Sequence, residues 1–134
     1  MEIWKPIEGY IGLYEVSNYG NVRSLTYWNG KRYANRKEPY LLKQSYTTTG
    51  YKKIELSKNG KKHSFKIHRL VAKAFIPAIE GKELINHKDG NPINNNVNNL
   101  EWCTQQENMM HAVKTGLRKT NKISDQELDR KSVV

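Results

Sequence analysis

The hydrophobic pattern is clearest in the middle of the chain, where apolar and polar residues alternate. Ile54 and Leu56 alternate with charged residues, Asn59-Gly60 supplies a two-residue turn, and Phe65 and Ile67 alternate beyond that turn. A period of two interrupted by Asn-Gly is typical of a β-hairpin with one apolar face. We therefore predict a two-stranded ribbon with lysines along its outer face.

The N-terminal part of the chain has a second, shorter hairpin pattern. Two β-prone runs in "YEVSNYGNVRSL" flank a turn at Asn18, Tyr19 and Gly20, which predicts small antiparallel strands within residues 1–25. Residues 26–39 are polar and basic, and we expect a loop or an irregular hairpin tip there.

The C-terminal half mixes helical and strand patterns. The segment "HRLVAKAF" clusters its apolar residues on one face and predicts a short helix that ends before Pro77. A strand in "ELINH", a turn at Lys88-Asp89-Gly90 and a second strand in "NLEW", opened by Asn99, are expected to follow.

A second helix is predicted directly after these strands, in "TQQENMMHAVKTG". Thr104 and Glu107 form a capping box, an apolar stripe runs from Met109 to Val113, and Gly116 suits the end of the helix. The predicted order is therefore strand, loop, strand, helix.

Composition adds a strong charge bias to this picture. The chain has a net charge of +10, a pI near 9.7 and only 37% hydrophobic residues, which predicts an anionic partner, with nucleic acid the first candidate. The sequence has no long apolar run or basic amphipathic helix that would favour a membrane. The single Cys103 excludes an internal disulfide, and the start lacks the apolar core of a signal peptide, which predicts an intracellular protein.

Positive charge is concentrated on the predicted ribbon. Between Lys31 and Lys73 the chain has thirteen Lys or Arg and only two acids, with tyrosines interleaved. A solubilising surface is one explanation. Phosphate neutralisation by a ribbon lying in a DNA groove is the other, and we favour it.

Seven asparagines and one histidine crowd residues 85–102. If the last helix packs across the two strands, Asn108 approaches Asn86 and His87 at the end of the first strand, while Asn99 opens the second strand. Amide oxygens beside a neutral imidazole suit a hard divalent cation whose remaining ligands are water and substrate phosphate. A ligand set without fixed charge predicts weak binding of the free metal.

These segments carry a family resemblance. "HRLVAKAFIP" followed by "INHKDGNPINNNVNNLEWCTQQEN" resembles the HNH nuclease motif of phage and intron-encoded homing endonucleases. The N-terminal "IWKPIEGYIGLYEVSNYGNVRSL" is similar to the module that often precedes this nuclease in phage. The resemblance implies an α+β fold, with a small antiparallel β module followed by a ββα-metal nuclease unit. We divide the chain into a DNA-binding module (1–50), the nuclease domain (51–118) and a polar tail or truncated DNA-binding extension (119–134).

The resemblance also implies roles for individual residues. His87 matches the general base, Asn86 and Asn108 match the metal ligands, and Asn99 matches the middle asparagine of the motif name, which positions the histidine. A side-chain carbonyl accepting from Nδ1–H would leave Nε2 free to take a proton from water. One Mg²⁺ or Mn²⁺ would polarise the phosphate, and the products would be a 5′-phosphate and a 3′-hydroxyl.

Basic residues of the ribbon and first helix, with two histidines, are the expected DNA contacts: Arg23, Arg32, Lys43, Lys52, Lys53, Lys62, Lys66, His68, Arg69 and His111. Other residues are expected to be structural. Asp89 is expected to hold its turn, Asn95 or Asn96 to bond to the backbone, and Trp102 to lie in the core.

The resulting prediction is a phage-type, metal-dependent endonuclease that nicks or cleaves double-stranded DNA, as a nicking or homing enzyme. It would act in the cytoplasm (of the host cell, for a phage-encoded chain) as a monomer, or as a dimer on DNA. Two alternatives stay open: a DNA-binding module of the same fold with weak or no activity, and a small basic RNA-binding protein.

Overall fold

The N-terminal part of the protein is an antiparallel four-stranded sheet. We describe it from a computed structural model that covers residues 1–114, with side chains through residue 110. In the β2–β3 turn, Gly20 has a φ of 87°, and the Ser17 hydroxyl accepts hydrogen bonds from two backbone N–H groups. This confirms the predicted hairpin. The strands follow chain order: β1 Trp4–Pro6, β2 Tyr14–Ser17, β3 Val22–Trp28 and β4 Tyr33–Leu41.

The segment 26–39 is more regular than a loop. Strands β3 and β4 continue to the pair Trp28 and Tyr33, so that only residues 29–32 form the tip, and a register shift after Ser24 makes the pairing irregular. The Trp28 and Tyr33 rings pack edge to face with centroids 5.2 Å apart. Such cross-strand aromatic pairs stabilise a ribbon. The predicted loop over residues 26–39 was therefore wrong. The alternative, an irregular hairpin, is confirmed, with its tip limited to residues 29–32.

The predicted lysine-rich ribbon is present in a three-stranded sheet. Asn59 and Gly60 have φ values of 54° and 76° in its turn, as a tight type I′ hairpin requires. Ile67 does not extend the return strand as predicted, since it begins the following helix with its side chain fully buried. The elements are β5 Ser45–Tyr46, β6 Lys52–Lys58, β7 Lys61–Lys66 and α1 Ile67–Phe75.

The last unit is a strand pair followed by a helix, as predicted. Thr104 and Glu107 form the capping box, with reciprocal bonds of 2.9 and 3.1 Å. Asn99 does not open the second strand, because it ends a short 3-10 helix over Val97–Asn99. The predicted stop at Gly116 and the tail 119–134 lie outside the described residues. The elements are β8 Leu84–His87, β9 Leu100–Cys103 and α2 Gln105–Lys114.

One hydrophobic core joins the N-terminal sheet to the rest of the molecule. Val16 and Val22 from the first sheet belong to the same buried cluster as Leu56, Val71 and Trp102. This shared core, with antiparallel sheets and few helices, confirms the α+β class. Within the part of the chain that is described, no helix has the length and apolar character needed to cross a bilayer.

Candidate functional site

His87 ends β8 and is almost completely buried. Its Nε2 lies 2.9 Å from the side-chain oxygen Oδ1 of Asn95. Because an amide oxygen only accepts hydrogen bonds, Nε2 carries the hydrogen in this contact and Nδ1 keeps its lone pair. This reverses the expected arrangement, in which Nδ1 was the donor and Nε2 was free.

Two other rings pack against the His87 imidazole. The centroid of His68 is 5.1 Å away and that of Tyr51 is 5.9 Å away. Burial lowers the pKa of His87, an effect that the bond to Asn95 and the charge of Asp89 partly oppose. The imidazole is therefore neutral near pH 7, which is the form that can accept a proton.

Asn86 precedes His87 and faces Glu101 across the strand pair. Its amide nitrogen Nδ2 donates to Oε1 of the Glu101 carboxylate at 2.9 Å. A carboxylate can only accept, so this bond fixes which end of the amide is nitrogen. The oxygen of Asn86 consequently faces away from Glu101.

Asn108 lies in the first turns of α2, and its buried side chain belongs to the helix that packs on β8. The structure therefore brings together the elements that carry Asn86, His87 and Asn108, as predicted. The Asn108 nitrogen Nδ2 is buried without a hydrogen-bond partner among the described residues. A buried amide with an unused polar end is uncommon in a purely structural role.

Asn99 supports the turn after His87 and does not reach the imidazole through any described hydrogen bond. Its Oδ1 accepts from the Asp89 backbone N–H at 3.0 Å, and its Nδ2 donates to the Asp89 carboxylate and the Asn94 carbonyl at 2.9 Å each. Its own backbone carbonyl accepts from Lys88 at 2.7 Å. Asp89 holds this turn, as expected.

The carbonyl that contacts His87 belongs to Asn95, which sequence reasoning did not place in the site. Sequence reasoning expected Asn95 or Asn96 to bond to the backbone. Asn96 does so, accepting from the Asn98 backbone N–H at 3.0 Å. Asn95 is 4% exposed, whereas most of the neighbouring asparagines are more accessible. Nothing in a run of identical residues marks that difference.

Two predicted DNA contacts have other positions in the structure. His68 is 0% exposed, so it cannot touch a phosphate here. Arg23 forms an ion pair with Glu15 at 2.6 Å and stacks on the ring of Trp4 at 4.2 Å, so its charge is used within the protein. The side chain of His111 lies outside the described residues.

The remaining predicted contacts are accessible to differing degrees. Arg32, Lys43 and Lys62 are exposed, whereas Lys52, Lys53, Lys66 and Arg69 are partly buried. Burial, and then the charge of Arg69, lower the pKa of Lys66. Cys103 is buried, and burial and nearby acids raise the pKa of its thiol to about 11, consistent with the inert side chain expected.

Comparison with known proteins places this site in a family. Residues 2–57 match the NUMOD4 motif, and residues 65–110 match the HNH endonuclease family. The DNA endonuclease I-HmuI of Bacillus phage SP01 is 40% identical over 119 residues, which cover 89% of this chain and 62% of I-HmuI. The uncharacterized HNH endonuclease L245 of Acanthamoeba polyphaga mimivirus is 43% identical over 106 residues, which cover 79% of this chain and 28% of L245.

A solved structure shows the same fold. The structure described as "DNA binding and cleavage by the HNH homing endonuclease I-HmuI" superposes on this protein with a TM-score of 0.72 at 39% sequence identity. The match covers 90% of this chain and 63% of that chain. This chain thus spans less than two thirds of the relatives it matches. With the NUMOD4 motif followed by the HNH motif, it belongs to the HNH endonuclease family, of the phage homing endonuclease type.

Proposed function

We propose that this protein is an endonuclease that hydrolyses phosphodiester bonds of double-stranded DNA with one divalent metal ion. The observation that carries the proposal is the packing of the helix that carries the buried Asn108 against the strand that carries Asn86 and the buried, neutral His87. The similarity to I-HmuI, which is named a DNA endonuclease, supports the same chemistry.

In this proposal Asn86 and Asn108 hold the cation, either Mg²⁺ or Mn²⁺, through their side-chain oxygens. Amide oxygens suit that role, because hard cations prefer oxygen ligands and retain several waters. When bound, the cation would polarise the scissile phosphate and stabilise the leaving 3′ oxygen. Within residues 1–110, no three His, Cys, Asp or Glu side chains converge on a metal position. The nearest fixed negative charge to Asn86 is the carboxylate of Glu101 that it contacts.

His87 acts as the general base in this scheme. With Nε2–H directed at Asn95, the lone pair of Nδ1 takes a proton from the attacking water. Burial keeps the imidazole neutral and therefore able to act at pH 7. Asn99 contributes by fixing the Asp89 turn that follows His87. Water attack with loss of the 3′ oxygen leaves a 5′-phosphate and a 3′-hydroxyl.

DNA would bind along the basic side chains between the β3–β4 turn and α1. Exposed and partly buried lysines and arginines of this segment supply phosphate contacts: Arg32, Lys43, Lys52, Lys53, Lys62, Lys66 and Arg69. We retain the division into a DNA-binding module (1–50), a nuclease domain (51–118) and a tail (119–134). We propose a monomer with one active centre, which nicks one strand unless two copies meet on DNA, acting in the cytoplasm.

The test is a plasmid-nicking assay with Mg²⁺ or Mn²⁺. His87→Ala should reduce cutting by a factor of about 10²–10⁴, the usual contribution of a general base. DNA affinity measured by fluorescence anisotropy should stay within a factor of two. His63→Ala is the matched control, since His63 is exposed on the ribbon. This variant should cut at the native rate. Full-rate cutting by His87→Ala would contradict the mechanism.

One observation favours a second candidate, a DNA-binding module with little activity. Both proposed ligands are neutral amides, so the protein alone offers the metal little charge. In that case the native protein would bind duplex DNA in a salt-dependent manner without cutting it at any concentration of Mn²⁺. A competition titration of duplex DNA against structured RNA separates both candidates from an RNA-binding protein.

A further inference from the structure

We propose, on the basis of the endonuclease function proposed above, that Asn95 is a positioning residue for His87. We further propose that the hairpin turn at Gly20 holds Asn95 in place. The N-terminal module would then complete the nuclease site as well as binding DNA.

The contact between Asn95 and His87 fixes the orientation of the base. The two side chains are buried, and the Asn95 oxygen lies 2.9 Å from Nε2 of His87. Without this acceptor the ring could turn about its side-chain bonds or adopt the other tautomer, and Nδ1 would no longer be directed at one place. Asn95 therefore selects the nitrogen that receives the proton.

Asn95 is buried without satisfying its own amide nitrogen. Its Nδ2 has no hydrogen-bond partner within the described part of the chain. A buried N–H without an acceptor costs stability, so the local bonds of this side chain do not explain its position. Packing from another part of the protein must keep it there.

That packing comes from the β2–β3 turn of the N-terminal sheet. A Cβ atom built on Gly20 would lie 2.9 Å from Cβ of Asn95 and 3.1 Å from its backbone oxygen, so only glycine allows this approach. The backbone of the same turn bonds to the asparagine loop, since Val97 N–H donates to the Asn18 carbonyl at 2.8 Å. On the other side of the turn, the Gln44 amide donates to the Gly20 carbonyl at 2.7 Å.

These contacts form a continuous path from the N-terminal sheet to the proposed base. The turn belongs to the segment that matches the NUMOD4 motif, and His87 belongs to the segment that matches the HNH family. A change confined to the turn should therefore slow the chemical step even though the turn is remote in sequence. DNA affinity need not change.

The first experiment replaces Asn95 and measures single-turnover cleavage at saturating DNA and Mg²⁺. Asn95→Ala should lower the rate at least tenfold with DNA affinity unchanged within twofold. Asn95→Asp, which keeps an acceptor oxygen, should recover part of the loss. Asn98→Ala is the control, because Asn98 is an exposed asparagine of the same loop. An Asn95→Ala rate equal to that of Asn98→Ala would overturn the role of Asn95.

The second experiment separates contact with Asn95 from backbone strain. Gly20 and Gly12 have nearly equal φ values of 87° and 84°, but a Cβ on Gly12 would meet nothing within 4 Å. Alanine at either position imposes the same left-handed strain. Gly20→Ala should cut at least tenfold more slowly than Gly12→Ala, at a temperature where circular dichroism shows both to be folded. Equal rates would overturn the role of the turn.

A spectroscopic measurement tests, independently of cleavage, whether Asn95 and the turn at Gly20 orient the His87 ring. Long-range ¹H–¹⁵N correlation spectra report which imidazole nitrogen of His87 carries the proton. We expect the Nε2–H form in the native protein and in Gly12→Ala, with a shifted Nε2 resonance in Asn95→Ala and Gly20→Ala. If the native protein does not cut but these shifts occur, the positioning role holds and the endonuclease proposal fails. Unchanged His87 resonances in both variants would overturn the positioning role itself.

Discussion

Asn86 and Glu101 face each other across the β8–β9 pair, and the amide of Asn86 donates to the carboxylate of Glu101 at 2.9 Å. This bond orients the oxygen of Asn86 and also places a negative charge beside a neutral side chain that we propose as a metal ligand. Partners of metal ligands commonly orient the ligand and tune its affinity. In the proposed site, Glu101 would therefore offset part of the charge that an asparagine cannot provide.

Removing the Glu101 carboxylate should weaken metal binding more than DNA binding. In Glu101→Ala we expect the Mg²⁺ concentration for half-maximal cutting to rise by roughly 10–100-fold, the usual cost of losing such a partner. Titration of cleavage rate against Mg²⁺ measures the effect. Glu83→Ala, which removes an exposed acid just before β8, should leave the midpoint unchanged. A midpoint that moves equally in both variants would point to general electrostatics.

Giving the site a charged ligand should make stability depend on metal. Asn86→Asp loses the donor to Glu101 and sets two carboxylates opposite each other, which should cost on the order of 1 kcal/mol without metal. A divalent ion bound between Asp and the Asn108 oxygen should recover this loss through mass action. Thermal unfolding with and without Mg²⁺ measures both terms. A native protein stabilised by Mg²⁺ as strongly as the variant would contradict this account.

The salt dependence of DNA binding should distinguish basic residues that contact DNA from basic residues that are paired within the protein. Lys62 is exposed on the ribbon, and its replacement by alanine should lower the slope of log affinity against log salt by about 0.9, the loss of one phosphate contact. Arg23→Ala should leave the slope unchanged and lower stability instead, because Arg23 is paired with Glu15 and stacked on Trp4. Anisotropy titrations at several salt concentrations distinguish the two residues. A reduced slope for Arg23→Ala would return that residue to the DNA surface.

Local signals made much of the fold predictable from sequence. The turn at Asn59-Gly60 and the capping box of Thr104 and Glu107 involve residues close in the chain, whose geometry depends little on the remainder of the fold. The order of strands and helix around His87 followed from the same kind of signal.

The environment of His87 was not predictable in the same way. Asn95 enters the site because the turn at Gly20, far away in sequence, packs against it. His68 stands beside Arg69 at the start of a helix and resembles a surface residue, yet it faces the core and the His87 ring. Both positions depend on tertiary packing, which leaves no trace in local spacing.

The burial of His68 leads to a prediction about acid stability. Burial, then the electrostatic effect of the neighbouring His87 and the positive charges of Lys66 and Arg69, lower its pKa from 6.5 to about 2. Below pH 6.5 the unfolded chain takes up a proton at His68 that the folded chain does not. The free energy of unfolding should therefore decrease as the pH is lowered below 6.5, and this group contributes up to about 1.4 kcal/mol per pH unit.

Replacing His68 should flatten that dependence. Urea unfolding of the native protein and of His68→Leu between pH 7 and pH 4 measures the two slopes, and we expect the variant to lose less stability on acidification. His87, whose pKa is also lowered, leaves a residual slope of the same sign in the variant. His63→Leu, which replaces an exposed histidine of the ribbon, is the control. Parallel curves for the native protein and His68→Leu would show that His68 titrates alike in the folded and unfolded chains.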